Sequence, residues 1–202
     1  MSTSPKTVEL LEYGAGNTGS IQRCLERLDI VYQTVGPDQL PTGKRPLVMP
    51  GVGAFGAAMT NLNRNGLSER VRDVVRSGTP FLGICVGLQV LLEGSEEAPG
   101  VPGLGLVKGM VKKFSARKVP QIGWNYVSTG PAAETGAENG YVYFVNSFYP
   151  SPLDSDSVLY EADYEGRFCA ALKQDNITAF QFHPEKSGPF GHTLIRRWMD
   201  AC

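Results

Sequence analysis

The chain has 202 residues, enough to bury a core without disulfide or metal staples, and one domain over residues 1–202 is expected. Hydrophobic residues make up 42% and charged residues 19%, a globular balance that excludes a disordered or fibrous chain. The formal charge of −1 provides no global positive field for phosphate backbones or acidic lipid, so neither nucleic acid nor membrane is an expected partner.

In chain order, Val8–Tyr13 reads as a short buried strand, and a glycine-rich turn, Gly14–Ser20, leads into a helix with Ile21, Leu25 and Leu28 on one face. Cys24 shares that helix and reads as core. Val31–Val35 and Leu47–Met49 are further short strands, followed by helical material from Phe55 to Arg76 broken at Gly66. Phe81–Ile84 is a continuous apolar run, as a central parallel strand buried on both faces requires, and Val86–Leu92 continues as a helix. The longest apolar stretch, Phe81 to Leu88, is broken by glycines and falls short of the ~20 residues of a spanning helix. The N-terminal run is interrupted by Glu9 and Glu12 and does not read as a secretory signal. A cytoplasmic location is expected, or an organelle after processing.

After Gly94 the texture changes. Gly94–Gly109 is loop-rich, and strand-like runs follow at Leu106–Phe114, Tyr141–Phe148, Val158–Tyr164, Phe168–Lys173 and Ile177–Phe182, with only Phe190–Met199 plainly helical. Pro131–Gly140 reads as a mobile surface loop. The expected fold is α/β: a central, mostly parallel sheet flanked by helices, with an antiparallel β-rich second half. The basic residues Lys112, Lys113, Arg117 and Lys118 read as a solvated hairpin edge.

Gly83-Ile84-Cys85-Val86-Gly87 has the layout of a nucleophile elbow, placed at a strand end and a helix start. A nucleophile on so tight a turn crowds its neighbours, and glycines two positions before and after leave room. The helix N-terminus favours thiolate, and the Val86 amide can hold an oxyanion. The plainer alternative is that Cys85 is a small buried hydrophobe between packing glycines. Cys24, Cys169 and Cys202 form no C-x-x-C pair with it, and with two histidines in the chain neither a zinc site nor a disulfide framework is expected.

A thiolate nucleophile needs an imidazole to move protons. His183 follows an apolar strand and precedes Pro184, which biases it to extended backbone, and Glu185 stands two positions on, back on the same side. That spacing lets the carboxylate orient the ring. Without Cys85, His183 would read as a strand-end histidine with a nearby salt bridge; His192, in a helix, reads as packing or surface. Pro50-Gly51-Val52-Gly53 ends the third strand, where ligands bind open α/β sheets, and is a candidate second oxyanion donor.

Together, Pro50-Gly51-Val52-Gly53-Ala54-Phe55, Gly83-Ile84-Cys85-Val86-Gly87-Leu88-Gln89, Ser95-Glu96-Glu97, Gly123-Trp124-Asn125 and His183-Pro184-Glu185-Lys186-Ser187 resemble the class I, triad-type glutamine amidotransferases. Within that family the resemblance is strongest to the glutaminase subunits of imidazole glycerol phosphate synthases, to which Tyr13-Gly14-Ala15-Gly16-Asn17 also points. It implies hydrolysis of L-glutamine to glutamate and ammonia, with the ammonia passed to a cyclase subunit in a heterodimer of histidine biosynthesis. It further implies Cys85, His183 and Glu185 as catalytic residues and the amides of Val52 and Val86 as oxyanion donors. Gly51, Gly53, Gln89, Glu97 and Ser147 would hold substrate, and Gly123–Tyr126 would lie near the cyclase docking face. No metal or organic cofactor is implied, and an oxyanion site completed only on cyclase engagement would make the isolated rate low.

The chain departs from many relatives at Gln121 and Asn146, where those have histidine. An amide still hydrogen-bonds but does not titrate near neutrality, which bears on communication with the cyclase rather than on the triad. A paralogue serving another ammonia acceptor, or a non-catalytic interaction subunit, are the alternative readings, and elbow plus triad alone also fit a cysteine peptidase or glutamyl hydrolase. A nicotinamide- or flavin-binding reading rests on Gly14-x-Gly16-x-x-Gly19 with Asp38 beyond the second strand, and it leaves the elbow and His-Pro-Glu unexplained.

Overall fold

The computed structural model describes residues 6–15 and 18–202. The chain opens with β1 (Thr7–Leu11), α1 (Gly19–Arg27), β2 (Val31–Val35), β3 (Leu47–Gly51), α2 (Phe55–Leu62), α3 (Leu67–Arg76) and β4 (Phe81–Cys85). Every residue of β4 is buried, and covering Phe81, Leu82 and Ile84 stabilises the fold by roughly 1.5–3 kcal/mol per side chain. α1 turns Ile21, Cys24 and Leu25 inward, in agreement with the helical spacing. The break at Gly66 lies where expected: a 3-10 turn over Arg64–Gly66 separates α2 from α3, with Gly66 at φ 69°.

α4 (Val86–Gln89) follows β4 directly and is shorter than the helix expected to reach Leu92. The physical reason is competition for its carbonyls: Leu104 donates to Val90 O at 2.7 Å and Leu106 to Leu91 O at 2.9 Å, so the 103–107 loop satisfies groups that a further helical turn would have used. Then come β5 (Gly94–Ser95), β6 (Gly109–Lys113), β7 (Gln121–Thr129), β8 (Gly140–Asn146) and β9 (Phe148–Pro152). β10 (Val158–Asp163), β11 (Arg167–Gln174), β12 (Ile177–Phe180) and α5 (Gly188–Asp200) complete the described chain. β5, which falls within the stretch read as loop, and β7 and β9 are additions to the elements read from sequence. Residues 130–139 connect β7 to β8, and Lys112, Lys113, Arg117 and Lys118 are exposed at and just beyond β6.

One sheet of nine strands in the order β2-β1-β3-β4-β12-β11-β10-β7-β8 runs through both halves of the chain, beside a small sheet, β5-β6-β9. The β1–β4 portion is parallel and the β7–β11 portion antiparallel. β12 joins them: it is antiparallel to β11 and parallel to β4, with Phe180 opposite Ile84. That junction brings the strand before His183 alongside the strand that ends in Cys85.

Candidate active site

The elbow is built by backbone packing. Cys85 sits at φ 56°, ψ −110° between β4 and α4, a conformation that costs an L-residue about 1–3 kcal/mol and persists only where its surroundings hold it. A Cβ on Gly87 would lie 1.9 Å from the Met49 carbonyl oxygen, and one on Gly83 would lie 2.8 Å from the Gly87 carbonyl oxygen. Both glycines are therefore demanded by contact with neighbouring backbone. Gly51 is crowded mainly by a side chain: its Cβ would lie 2.6 Å from the Tyr13 hydroxyl, with the Gly87 nitrogen at 3.0 Å.

Cys85 opens onto a cavity of about 320 Å³ whose wall includes His183, Gln89, Glu97 and Ser147. Val52, Gly53 and Val86 also face it, as does Asn146. Gly51 does not line this cavity: it lies on the other side of the elbow, bordering a cleft of about 10 Å³ with Glu185. His183 Nδ1 is 2.8 Å from Glu185 Oε1, with both side chains almost wholly buried. The opposite Glu185 oxygen, Oε2, is buried without a hydrogen-bond partner among the described residues. Burial opposes a charged imidazolium, but hydrogen bonds with the Cys85 sulfur and the Glu185 carboxylate outweigh it and raise the His183 pKa to about 10.

Ser187 explains the last residue of the His-Pro-Glu-Lys-Ser run. Its hydroxyl donates to the His183 carbonyl at 2.6 Å and accepts from the Tyr143 N–H at 2.9 Å, while the His183 N–H donates to the Tyr143 carbonyl at 2.9 Å. The histidine turn is thereby tied to β8. Glu97 holds a structural post as well as a place on the wall: its Oε2 accepts from the Phe55 N–H at 2.7 Å, capping the start of α2. The Val52 amide donates to the Ala15 carbonyl at 3.0 Å and is thus committed away from the cavity in this conformation. The Val86 amide is the first of α4 and has no acceptor within its own helix.

Two residues beside the nucleophile escaped the sequence reading. Gln181, fully buried, places Nε2 3.8 Å from Cys85 Sγ. The Tyr13 hydroxyl is buried without a partner among the described residues, and burial, followed by the nearness of Cys85, pushes the phenol above its ordinary range. No local pattern marks Gln181, and the glycine-rich run that begins at Tyr13 assigns no role to its phenol. Of the glycine fingerprint near the N-terminus, Gly16 lies outside the described residues, as does Asn17, and Asp38 is exposed in the turn after β2. Among the described residues no group of three or more His, Cys, Asp and Glu is placed to hold a metal ion, and no helix is long and apolar enough to cross a membrane.

An elbow cysteine facing an oriented imidazole at the carboxyl edge of a parallel sheet is the constellation of a thiol-dependent acyl-transfer enzyme. Residues 9–202 match the model of the family Glutamine amidotransferase class-I, and the chain belongs to that family. A Thermus thermophilus protein named imidazole glycerol phosphate synthase subunit HisH is 46% identical over 196 residues, spanning 95% of this chain and 98% of its own length. The Arabidopsis thaliana protein named imidazole glycerol phosphate synthase hisHF, chloroplastic, is 41% identical across 98% of this chain, which spans only 35% of that longer protein. In fold, the structure of PurLQS from Thermotoga maritima superposes with a TM-score of 0.77 at 16% identity, covering 98% of this chain and 99% of the matched one.

Proposed function

We propose that this chain is the glutaminase subunit of an imidazole glycerol phosphate synthase, hydrolysing L-glutamine to glutamate and ammonia for a separate cyclase subunit in histidine biosynthesis. The observation that carries the chemistry is the shared cavity of Cys85 and His183, with Glu185 at 2.8 Å behind the ring. The Cys85 thiolate attacks the side-chain amide carbon, forming a C–S bond and a tetrahedral oxyanion. The raised pKa of His183 keeps a proton on the ring at neutral pH; that proton passes to the amide nitrogen as the C–N bond breaks and ammonia leaves. The ring, now neutral, takes a proton from water, which attacks the thioester; the C–S bond breaks and glutamate departs.

Gln89, Glu97, Ser147 and Gly53 serve as the glutamine-holding wall, and Gly51 acts by letting the elbow close. The Val86 amide is one oxyanion donor. Val52 becomes the second when its peptide turns away from the Ala15 carbonyl, so the resting subunit is slow. Residues 1–202 act as one amidotransferase domain, a reading supported by the sheet that draws strands from both halves.

Support for a cyclase partner comes from the outward face of β7 and β8 at the sheet edge. There Ile122 pairs with Val145, Trp124 with Tyr143 and Tyr126 with Tyr141 across the strands, and Ile122, Trp124 and Tyr141 are 63%, 57% and 62% exposed. An aromatic ladder of this kind fits a protein interface. Asn146, at the end of β8, links that edge to the cavity wall. Free Cys24, Cys85, Cys169 and Cys202 suit a reducing cytoplasm. The test is glutamate release with and without the cognate cyclase and its nucleotide substrate. Stimulation in the wild type, lost in Cys85→Ala and His183→Ala, is expected; variants as fast as wild type would overturn the assignment.

A further inference from the structure

Gln181 follows β12, two residues before His183, and none of its surface is exposed. Its Oε1 accepts from Gln89 Nε2 at 3.0 Å, and its own Nε2 stands 3.8 Å from Cys85 Sγ. The same Gln89 NH2 group donates to the Phe148 carbonyl at 3.2 Å. A backbone carbonyl only accepts, so Phe148 decides which end of the Gln89 amide faces it. Gln89 in turn decides that Gln181 presents its oxygen to it, which leaves the Gln181 NH2 toward the sulfur. Flipping Gln89 would set oxygen against oxygen at both contacts, and flipping Gln181 would set one NH2 group against the other.

We propose that Gln181 is a positioning residue for glutamine hydrolysis, its side-chain NH2 holding the Cys85 sulfur in the attacking orientation and favouring it as an anion. The proposal rests on the assignment of Cys85 as the nucleophile. A donor aimed at a charged acceptor stabilises that form more than a neutral one, and Gln181, fully buried, offers its donor from the protein side of the sulfur rather than from the cavity. Gln181 carries no charge at any working pH, unlike the titratable groups around the sulfur. His183, with Glu185 behind it, faces the sulfur from the turn after β12, the Tyr13 phenol stands at the end of β1, and Glu97 and Lys186 border the same cavity. Because Gln89 borders the cavity and orients Gln181, the wall that receives substrate also sets the donor on the nucleophile.

The test uses the subunit bound to its cognate cyclase. Gln181→Met keeps the length and volume but removes the donor. Gln181→Glu keeps the shape and sets a carboxylate oxygen against the sulfur. Gln181→Met is expected to lower kcat about 30-fold, the loss of one hydrogen bond to a charged acceptor, with KM for glutamine within about twofold. Labelling of Cys85 by iodoacetamide should move to higher pH in Gln181→Met and further in Gln181→Glu, a change that loss of packing alone does not produce. Gln181→Asn, which retains a donor on a shorter arm, should recover part of the rate. If folded Gln181→Met keeps wild-type kcat, or its labelling profile overlays that of wild type, the proposal fails. A rise in KM with kcat retained would assign Gln181 to substrate binding instead and equally overturn it. Failure of the wild-type complex to release glutamate, with Cys85 unlabelled at every pH, would sink the glutaminase reading itself.

Discussion

The elbow around Cys85 and the β7/β8 edge are both strand ends near one cavity, yet they are built on opposite terms. At the elbow, backbone touches backbone: Gly83 and Gly87 have no room for a methyl group. At the edge, Ile122, Trp124 and Tyr141 project into open space. A reacting group must be held against strain by contacts on every side, whereas a recognition surface must leave its contacts unmade until the partner arrives. The difference teaches that substitution should damage the two regions differently, the first through rate and stability, the second through association.

The sharpest way to break that contrast is Cys85→Ala, expected to lower stimulated glutamate release by about 10⁴-fold or more while leaving cyclase binding intact; lost binding would show that the elbow and the edge are not separable. Next, Gly87→Ala should destabilise the fold by about 3 kcal/mol or more, because the methyl carbon would meet the Met49 carbonyl oxygen at 1.9 Å. Urea unfolding reads this directly. Trp124→Ala should weaken cyclase association by about 2 kcal/mol, roughly 30-fold, with the unfolding midpoint nearly unchanged, measured by titration calorimetry and urea denaturation side by side.

A last effect concerns pH. His183 has an ordinary pKa of 6.5 and a folded value of about 10, so its charged ring contributes stability that is complete below 6.5 and is lost as pH rises through 10. Glu185→Gln removes one of the groups that raise the value and should flatten that alkaline decline, as followed by thermal unfolding across pH.

Legibility divided along the same line as the contrast. The elbow glycines and His183-Pro184-Glu185 were readable because each falls within a five-residue run of fixed spacing, although the contact that forbids a side chain at Gly87 comes from Met49, far away in the chain. β4 was readable because burial on both faces demands an unbroken apolar run. β7 was not: Ile122, Trp124 and Tyr126 alternate with Gln121, Gly123 and Asn125, but glycine and asparagine are poor strand formers and the apolar set faces outward instead of into the core. The antiparallel second half was anticipated, but the parallel pairing of β12 with β4 joins segments roughly 96 residues apart, as their register of Ile177 with Phe81 records, and no local pattern encodes a partner so distant.

By itself the amino-acid sequence determined the strand-turn-helix that carries Cys85, the extended backbone at His183 and the return of Glu185 to the same side, because each follows from steric limits on neighbouring residues. Tertiary structure alone decided that these meet. The β12–β4 junction brings the imidazole to the thiol, the Phe148 carbonyl orients Gln89 and through it Gln181, and the Val52 amide is held by Ala15 rather than by the cavity. Hydrogen-bond direction between residues far apart in the chain is a property of their packing, and packing exists only once the chain has closed on itself.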